Sequence, residues 1–486
     1  MKLHPLSVPY RAASRVVSVA AVAVVGGGVL GDAANLSTPL GAVGLAVLGI
    51  AAVVGWEVAY HRRFDYELTA DTLDITSGVL SLRHREIPLR RIQNVDIRRT
   101  AVQRVLGIAA ARFETAGGSE TEASLEFVAA AEAKRLQREV QRRKAGATDE
   151  TGAADPTPEP ERTIFELADE DLLALSLVTV DFRAVPVLAV VVPLIASRVP
   201  VDPLARALFG VTVVGAVLSL LGLWATSAAV TFVRYFGFRL STVGEDLRYE
   251  RGLLQRYDGS IPREKVQTLV VRENVAMRRL GFAALAVETA GYSPGQSPGG
   301  GSSVAVPFAR REAVLELARS IEPFPDLPFE RPPKRARRRY AVRYALLVLA
   351  LTGVAAALDA FVGHTGLWYA PLALLPLAPV AAHYRWLSLG YALGEDYLVA
   401  RSGFWRRRTT VVPYYRLQTV VQRASVFQRR LGLATVVADT AGSLSLADSD
   451  ASAADVDVTT ADRLRVEFHR RMQASRRARR TRAAGD

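Results

Sequence analysis

The side chains best suited to bind an anionic group recur along this chain at matching places. An arginine stands two residues before each of three Leu-Gly pairs, and a second basic residue follows each of three prolines by three residues. The two series are Arg104, Arg278 and Arg429, and Arg91, Lys265 and Arg416. A guanidinium can bind phosphate through paired hydrogen bonds. An arginine at the end of a short helix can instead stabilise the carbonyl end of the helix dipole. The sequence leaves both roles open for both series.

An acidic residue also recurs, directly before a Thr-Ala-Gly triplet, as Glu114, Glu288 and Asp439. No second carboxylate recurs with it to complete an acid–base pair, so a structural ion pair or a turn hydrogen bond is the better prediction. The chain has no cysteine, and its six histidines form no metal-ligand spacing. We therefore predict that the protein is not an enzyme and that it holds no metal or cofactor.

These residues belong to one block that occurs three times with constant spacing. A glycine is followed ten residues later by a proline and five further on by a glutamine, and the Leu-Gly and Thr-Ala-Gly elements come after them. Such a repeat predicts three copies of one structural unit. The repeat-defining residues are Gly78, Pro88, Gln93, Gly107 and Gly117; Gly252, Pro262, Gln267, Gly281 and Gly291; and Gly403, Pro413, Gln418, Gly432 and Gly442.

The block must be held by strands and one terminal helix. Short β-branched and alternating segments surround Gly78, and a short helix ending at Gly107 is predicted between two of the strands. An amphipathic helix closes each repeat. Six or seven strands with a C-terminal helix indicate a small β-barrel or β-sandwich capped by that helix. The aspartate-rich stretch that follows Gly442 in the third repeat is unlike a strand, which puts the last strand of that repeat in doubt.

Two apolar runs precede each repeat, and we expect them to form transmembrane hairpins because several approach the ~20 residues that cross a bilayer. The basic residues flank the first and third hairpins and are absent from their links at 32–39 and 363–366. The second link carries Arg198 and Arg206, so its signal is weaker. This bias places the repeats in the cytoplasm. The predicted boundaries are hairpins at 16–56, 184–232 and 344–382, domains at 60–144, 236–322 and 388–476, and a disordered linker at 145–163.

The spacing Gly-x9-Pro-x4-Gln, followed by Arg-x-Leu-Gly and Glu/Asp-Thr-Ala-Gly, resembles the bacterial pleckstrin-homology-like domain. That family includes multi-repeat membrane proteins with a transmembrane hairpin before each domain. The resemblance implies three PH-like domains and a membrane-tethered binding or scaffolding role, without catalysis. The fold class expected for the whole chain is therefore α-helical membrane hairpins plus three PH-like β-barrel or sandwich domains.

The formal net charge of +13 suits an anionic membrane surface or nucleic acid. We expect a multi-pass protein of the cell membrane that acts in binding or complex assembly, with other membrane proteins and anionic lipids as partners. A transporter or channel component is the alternative. A nucleic-acid role is disfavoured because no basic stripe with interleaved aromatic residues occurs. The cluster Arg406, Arg407 and Arg408 is expected to be solvated and, with the two recurring basic series, to bind lipid or a partner.

Overall fold

The computed structural model describes residues 1–16, 39–115, 123–144, 161–179, 210–244, 246–289, 303–326, 328–362, 368–441 and 451–483. Several predicted features lie outside these ranges. They include most of the first apolar run, the run at 184–196, the link at 363–366 and nearly all of the linker at 145–163. Gly117, Gly291 and Gly442 lie outside them as well.

Long helices stand before the repeats. Helix α1 (Pro39–Arg63), helix α5 (Gly210–Tyr235) and helix α8 (Ala336–Val362) contain predicted spans. Within the described residues, one helical segment is long and apolar enough to cross a membrane, Ala336–Ala357, with a mean hydropathy of 1.7. The described residues therefore carry one candidate span where the sequence predicts paired spans.

Each repeat is built from two three-stranded antiparallel groups and a terminal helix. The elements of the first repeat are β1 (Asp65–Leu68), β2 (Thr72–Ser77), β3 (Arg83–Pro88), β4 (Ile92–Thr100), α2 (Ala101–Val105), β5 (Ile108–Thr115), β6 (Ala123–Ala129) and α3 (Ala130–Lys144). Strand β7 (Arg162–Glu166) and helix α4 (Asp169–Val178) follow before the second repeat.

The second and third repeats follow the same element order. The second contains β8 (Arg239–Val243), β9 (Asp246–Arg251), β10 (Gln255–Ile261), β11 (Val266–Asn274), α6 (Val275–Leu280), β12 (Phe282–Thr289), β13 (Ser303–Arg310) and α7 (Arg311–Ile321). Helix α9 (Leu377–Leu387) precedes the third, which contains β14 (Gly390–Leu393), β15 (Tyr397–Ser402), β16 (Arg406–Pro413), β17 (Leu417–Arg423), α10 (Val426–Arg430), β18 (Leu433–Thr440), β19 (Ala451–Asp457) and α11 (Val458–Ala483). Strand β19 corrects the doubt about the last strand of this repeat.

Neighbouring repeats share sheets. The strand orders are β1-β2-β3, then β6-β5-β4-β10-β9-β8-β7, then β13-β12-β11-β16-β15-β14, and finally β17-β18-β19. The second strand group of one repeat is thus hydrogen-bonded to the first strand group of the next. The chain divides into two compact units, Met1–Arg162 with Ser241–Ser260, and Thr163–Leu240 with Ile261–Asp486. The division passes through the second repeat, because its two strand groups join different neighbours.

The first glycine of each block makes a tight reversal that requires glycine. Gly78, Gly252 and Gly403 have φ of 124°, 107° and 84°. A Cβ at each would collide with the carbonyl oxygen three residues on. The positive φ and the close approach both exclude other residues at this turn.

The second glycine ends the short helix of each repeat and fixes the start of the terminal helix. Gly107, Gly281 and Gly432 have φ of 68°, 76° and 62°, the left-handed conformation of a helix cap. Their carbonyl groups accept the backbone N–H of Ala130, Arg311 and Val458 at 2.9, 2.9 and 3.2 Å. These bonds join the end of one helix to the start of another in the same repeat.

The proline and glutamine mark two further backbone features. Each proline caps a 3-10 turn, and the turns are Leu89–Arg91, Arg263–Lys265 and Tyr414–Arg416. The glutamine lies where the strand register shifts, between Ile92 and Asn94, Val266 and Thr268, and Leu417 and Thr419. A β-bulge therefore recurs at the glutamine in all three repeats.

The terminal helices close hydrophobic cores, as the sequence predicts. In the first repeat Ala133, Leu136 and Val140 of α3 lie in one cluster with Leu73, Phe113 and other buried residues of both strand groups. In the third repeat Leu464 and Phe468 of α11 pack on Leu398 and Val436 in the same way. Two antiparallel groups with one covering helix thus share a core in each of these repeats.

Candidate functional site

The junctions between consecutive repeats bring together the charged side chains that the sequence singles out. At the first junction β4 pairs antiparallel with β10, with Thr100 opposite Gln255. At the second, β11 pairs antiparallel with β16, with Asn274 opposite Arg406. Thr100 and Asn274 occupy the same position of the repeat, the N-cap of the short helix. Both junctions therefore use one strand register.

The first junction is organised around an aromatic ring. Tyr257 on β10 lies opposite Arg98 on β4, and the Arg98 guanidinium stands 5.0 Å from the ring centroid. Arg251 approaches the same ring at 5.5 Å. Beside them the buried carboxylate of Asp258 accepts a hydrogen bond from Arg248 Nε at 3.1 Å. Cation–π contacts of this kind each contribute ~0.5–1 kcal/mol.

The second junction is organised around a buried carboxylate. Glu273 on β11 is 3% exposed and accepts two hydrogen bonds from Arg407 on β16, from Nε and Nη2, each at 2.8 Å. Arg311 at the start of α7 lies 3.4 Å from the same carboxylate. This paired geometry is the strong form of an arginine–carboxylate contact. Arg407 thereby links two repeats through a carboxylate that is almost fully buried.

Like charges also meet at the second junction. Arg272 lies opposite Arg408, which stands 3.9 Å from Glu288. Burial and, secondarily, the Arg408 charge lower the pKa of Arg272. The guanidinium still stays charged at neutral pH because its reference pKa is so high. Glu288, one of the recurring acids, thus stands beside an arginine of the next repeat.

The first basic series reaches the reversal that opens the following repeat. Arg104 lies in the last turn of α2, and its Nη2 donates a hydrogen bond to the carbonyl oxygen of Leu253. Arg278 in α6 places its guanidinium 5.4 Å from the ring of Phe404, the matching position of the next repeat. Arg429 in α10, the member of this series in the third repeat, is exposed. The contacts of Arg104 and Arg278 thus join repeats, a role different from either one that the sequence left open.

The second basic series ends the 3-10 turns. Arg416 donates from Nη2 to the carbonyl oxygen of Glu264 in the preceding repeat and lies 4.9 Å from the ring of Tyr415. Arg91 is exposed at the end of its turn, and Lys265 is half-buried at the end of its own. Both of these residues make contacts within the described part of the chain.

The arginine cluster on β16 differs from the sequence interpretation. The side chains of Arg407 and Arg408 are 24% and 28% exposed, and both face glutamates of the second repeat. Only Arg406, at the start of β16, is exposed. The expectation of a solvated cluster is therefore wrong for Arg407 and Arg408, because strand pairing between repeats draws them into a junction.

A further buried carboxylate, which sequence reasoning missed, ties the candidate span to the third repeat. Asp455 in β19 is fully buried and accepts two hydrogen bonds from Arg339 Nη1 at 2.6 and 2.7 Å. The hydroxyl of Tyr340 and the side-chain amide of Gln428, the latter at 2.7 Å, also donate to it. Arg339 and Tyr340 lie in the first turns of α8. Just before that helix, Arg335 pairs in addition with Asp457.

Asp455 has a positive φ, which is unusual for a residue other than glycine. Its φ is 56°, and Phe127 at the matching bulge of β6 has φ of 66°. At the first repeat this position packs Phe127 against Tyr10, with ring centroids 5.1 Å apart. The bulge therefore directs a side chain toward the N-terminal helix, residues 7–16, in the first repeat and toward α8 in the third. In the sequence Asp455 is one of several aspartates in an atypical stretch, so no signal distinguished it.

Comparison with known proteins gives a family and a relative. The family model described as "Bacterial PH domain" matches three segments, residues 16–144, 183–324 and 344–472. The UPF0699 transmembrane protein YdbT of Bacillus subtilis (strain 168) is 26% identical over 419 residues, which cover 82% of this chain and 83% of that protein. The three matched segments contain the three repeats and together span most of the chain. The chain therefore belongs to the bacterial PH domain family.

Proposed function

We propose that this chain is an integral protein of the cell membrane that presents its three bacterial PH domains in the cytoplasm. It acts there in membrane-associated binding or complex assembly. Anionic lipids and other membrane proteins are its partners in this proposal, and no catalytic step is part of it.

The observation that carries the proposal is the contact between α8 and the third repeat through Asp455. The candidate span begins at Ala336, and two residues of its first turns, Arg339 and Tyr340, donate to this one buried carboxylate. A buried charge with three donors holds its partners in one geometry, since losing one of them leaves the charge unpaired. The third repeat is therefore fixed at the N-terminal end of the span, where it would stand at the membrane surface.

Two further observations support the proposal, the first on orientation and the second on membrane insertion. Six basic residues lie between 334 and 343, at the end of the span that contacts the repeat. Basic residues near the ends of a span favour the cytoplasmic side. The relative in Bacillus subtilis is named as a transmembrane protein, and its match covers most of both chains.

The test is topology, measured by cysteine labelling in intact cells. The chain has no cysteine, so single substitutions carry no background. Ala131→Cys, Ala313→Cys and Ala474→Cys place one probe on an exposed position of each terminal helix, α3, α7 and α11. We expect an impermeant maleimide to label all three only after the membrane is opened. Ser37→Cys, in the first predicted outer link, should label in intact cells.

Labelling of Ala474→Cys from outside would contradict the orientation of the third repeat. Recovery of the unmodified chain in the soluble fraction after alkaline washing would contradict membrane insertion. A split result among the three positions would show which repeat departs from the proposed arrangement.

A further inference from the structure

We propose that this chain associates with a second copy of itself by strand pairing, the outer edge of β17 in one copy binding the outer edge of β3 in the other. The proposal uses strand edges that the membrane anchoring does not involve. It follows from the way the repeats already join inside one chain.

Each junction uses the same two strand positions. The fourth strand of one repeat, β4 or β11, pairs with the third strand of the next, β10 or β16. By the same positions β17 is the fourth strand of the last repeat, and β3 is the third strand of the first. Among the described residues, β17 pairs only with β18 and β3 pairs only with β2. Two edges are therefore open among the described strands, a fourth-strand edge on β17 and a third-strand edge on β3.

The exposure of equivalent residues shows what pairing does to these edges. Val270 in β11 is fully buried, whereas Val421, its counterpart in β17, is 42% exposed. Residues 84–86 of β3 are exposed, whereas residues 258–260 at the matching positions of β10 are buried. Exposed edges of this kind are templates for another strand.

The two internal junctions fix the register of the external one. Val270 lies opposite Thr410, so Val421 would lie opposite Arg85 in the second copy. Arg272 opposite Arg408 corresponds to Arg423 opposite Arg83. The like-charge pair therefore has a precedent inside the chain, where a recurring acid stands near it. Asp439 occupies that acidic position in the third repeat.

The arginine series that precedes the Leu-Gly pairs also indicates a second copy of the chain as the partner. Arg104 and Arg278 contact the reversal that opens the next repeat, at Leu253 and Phe404. The third member of this series, Arg429, is exposed and would make the same contact with a reversal of this kind. A second copy of the chain supplies one, the reversal that opens its first repeat.

The first reversal is open to such a contact. It contains Val79 and Leu80, and Leu80 is 88% exposed. The carbonyl oxygen of Val79 accepts a hydrogen bond from Arg63, and a carbonyl oxygen has two lone pairs, so a second donor can still bind it. The exposed Arg429 would reach this reversal in the second copy. A second copy thus supplies both the edge and the reversal in matching order, and the contact is heterologous.

Cross-linking of the full-length chain in detergent tests the register. Val421→Cys and Arg85→Cys copies with different tags are mixed and oxidised. We expect a disulfide-linked heterodimer in the mixture and none from either copy alone. The internal counterpart, Val270→Cys with Thr410→Cys in one chain, should give an intramolecular disulfide and calibrates the yield. Replacing Arg85→Cys by His84→Cys should lower the yield about tenfold, because a one-residue shift moves the side chain to the other face.

A charge exchange, read by sedimentation velocity over a range of concentrations, separates strand pairing from other contacts. Val421→Arg opposes Arg85 with a like charge and should weaken association by about two- to fivefold. Adding Arg85→Glu to Val421→Arg should restore it. Both positions are exposed, so neither change threatens the core.

A chain that stays monomeric at all concentrations and gives no heterodimer would overturn the proposal. Association that persists without a disulfide between positions 421 and 85, and without response to the charge exchange, would overturn it as well. A heterodimer that depends on the register and recovers with the exchanged charges would establish it.

Discussion

The two repeat junctions share a backbone and differ in chemistry. Both pair the fourth strand of one repeat with the third strand of the next at one register. In the first junction Arg98 and Arg251 both contact one tyrosine ring, whereas in the second Arg407 binds a buried glutamate. The backbone of the repeat sets where strands meet, and the side chains at matching positions have diverged.

This difference shows that different side-chain interactions stabilise the two junctions. A junction built on an aromatic ring tolerates water at its rim, because cation–π contacts persist at exposed sites. A junction built on a buried carboxylate depends on every partner of that charge. Substitutions at matching positions should therefore have unequal effects on stability.

The largest effect is expected at Glu273. Glu273→Gln removes the charge that Arg407 and Arg311 share, and we expect unfolding to become easier by about 2–4 kcal/mol, since breaking a buried pair leaves the partner charge unsatisfied. Thermal unfolding of the purified full-length chain measures it. Glu250→Gln is the control, because Glu250 pairs with an arginine that is 44% exposed. A cost for Glu273→Gln no larger than the control would contradict the account of the second junction.

The next effect is expected at Tyr257. Tyr257→Arg replaces the ring by a third cation beside Arg98 and Arg251, and we expect a loss of about 1–2 kcal/mol from the lost contacts and added repulsion. Tyr257→Phe keeps the ring and should cost much less. Chemical denaturation with both variants gives the comparison, and equal losses would show that the ring does not hold these arginines.

Lipid binding should separate junction arginines from helix arginines. Arg477 and Arg480 are exposed on α11, whereas Arg407 and Arg408 face glutamates. Replacing both Arg477 and Arg480 with Ser should weaken binding to vesicles of anionic lipid by about 1 kcal/mol per residue at low salt. Capture of anionic-lipid vesicles by the full-length chain held in nanodiscs of neutral lipid, at two salt concentrations, measures this. Unchanged binding would remove anionic lipid from the proposed partners of this helix.

The smallest effect is expected when the tyrosine–arginine contact of the first junction is introduced into the second. Arg408→Tyr would place a tyrosine opposite Arg272, as Tyr257 stands opposite Arg98. We expect a gain of about 0.5–1 kcal/mol, because a like-charge pair becomes a cation–π pair. Thermal unfolding beside the wild type detects the gain. A loss would mean that the contact of Arg408 with Glu288 outweighs the repulsion.

The spacing of the repeat predicted local backbone geometry well. Glycines at the reversal and at the helix cap have the positive φ that other residues avoid, so their recurrence carried direct information. The resemblance to bacterial PH-like domains was confirmed by the match over three segments. The terminal helices pack on the core where their apolar spacing indicated.

The pairing between repeats was not predictable from the same signals. The spacing of residues within one repeat does not predict which strands pair between repeats. An edge strand and an internal strand can also have the same sequence pattern. Arg407 therefore looked solvated, although its partner Glu273 lies 134 residues earlier in the chain. Glu273 and Asp455 do not recur in the other repeats, so no comparison of blocks could reveal them.

The most direct test of the account is whether both junctions have the same register in solution. Arg98→Cys with Tyr257→Cys, and Arg272→Cys with Arg408→Cys, place matched pairs at one position of the two junctions. On mild oxidation of the full-length chain, each pair should form an intramolecular disulfide, seen by peptide mass spectrometry. Disulfides that form instead with cysteines shifted by one residue, at Asp258 and Thr409, would contradict a common register.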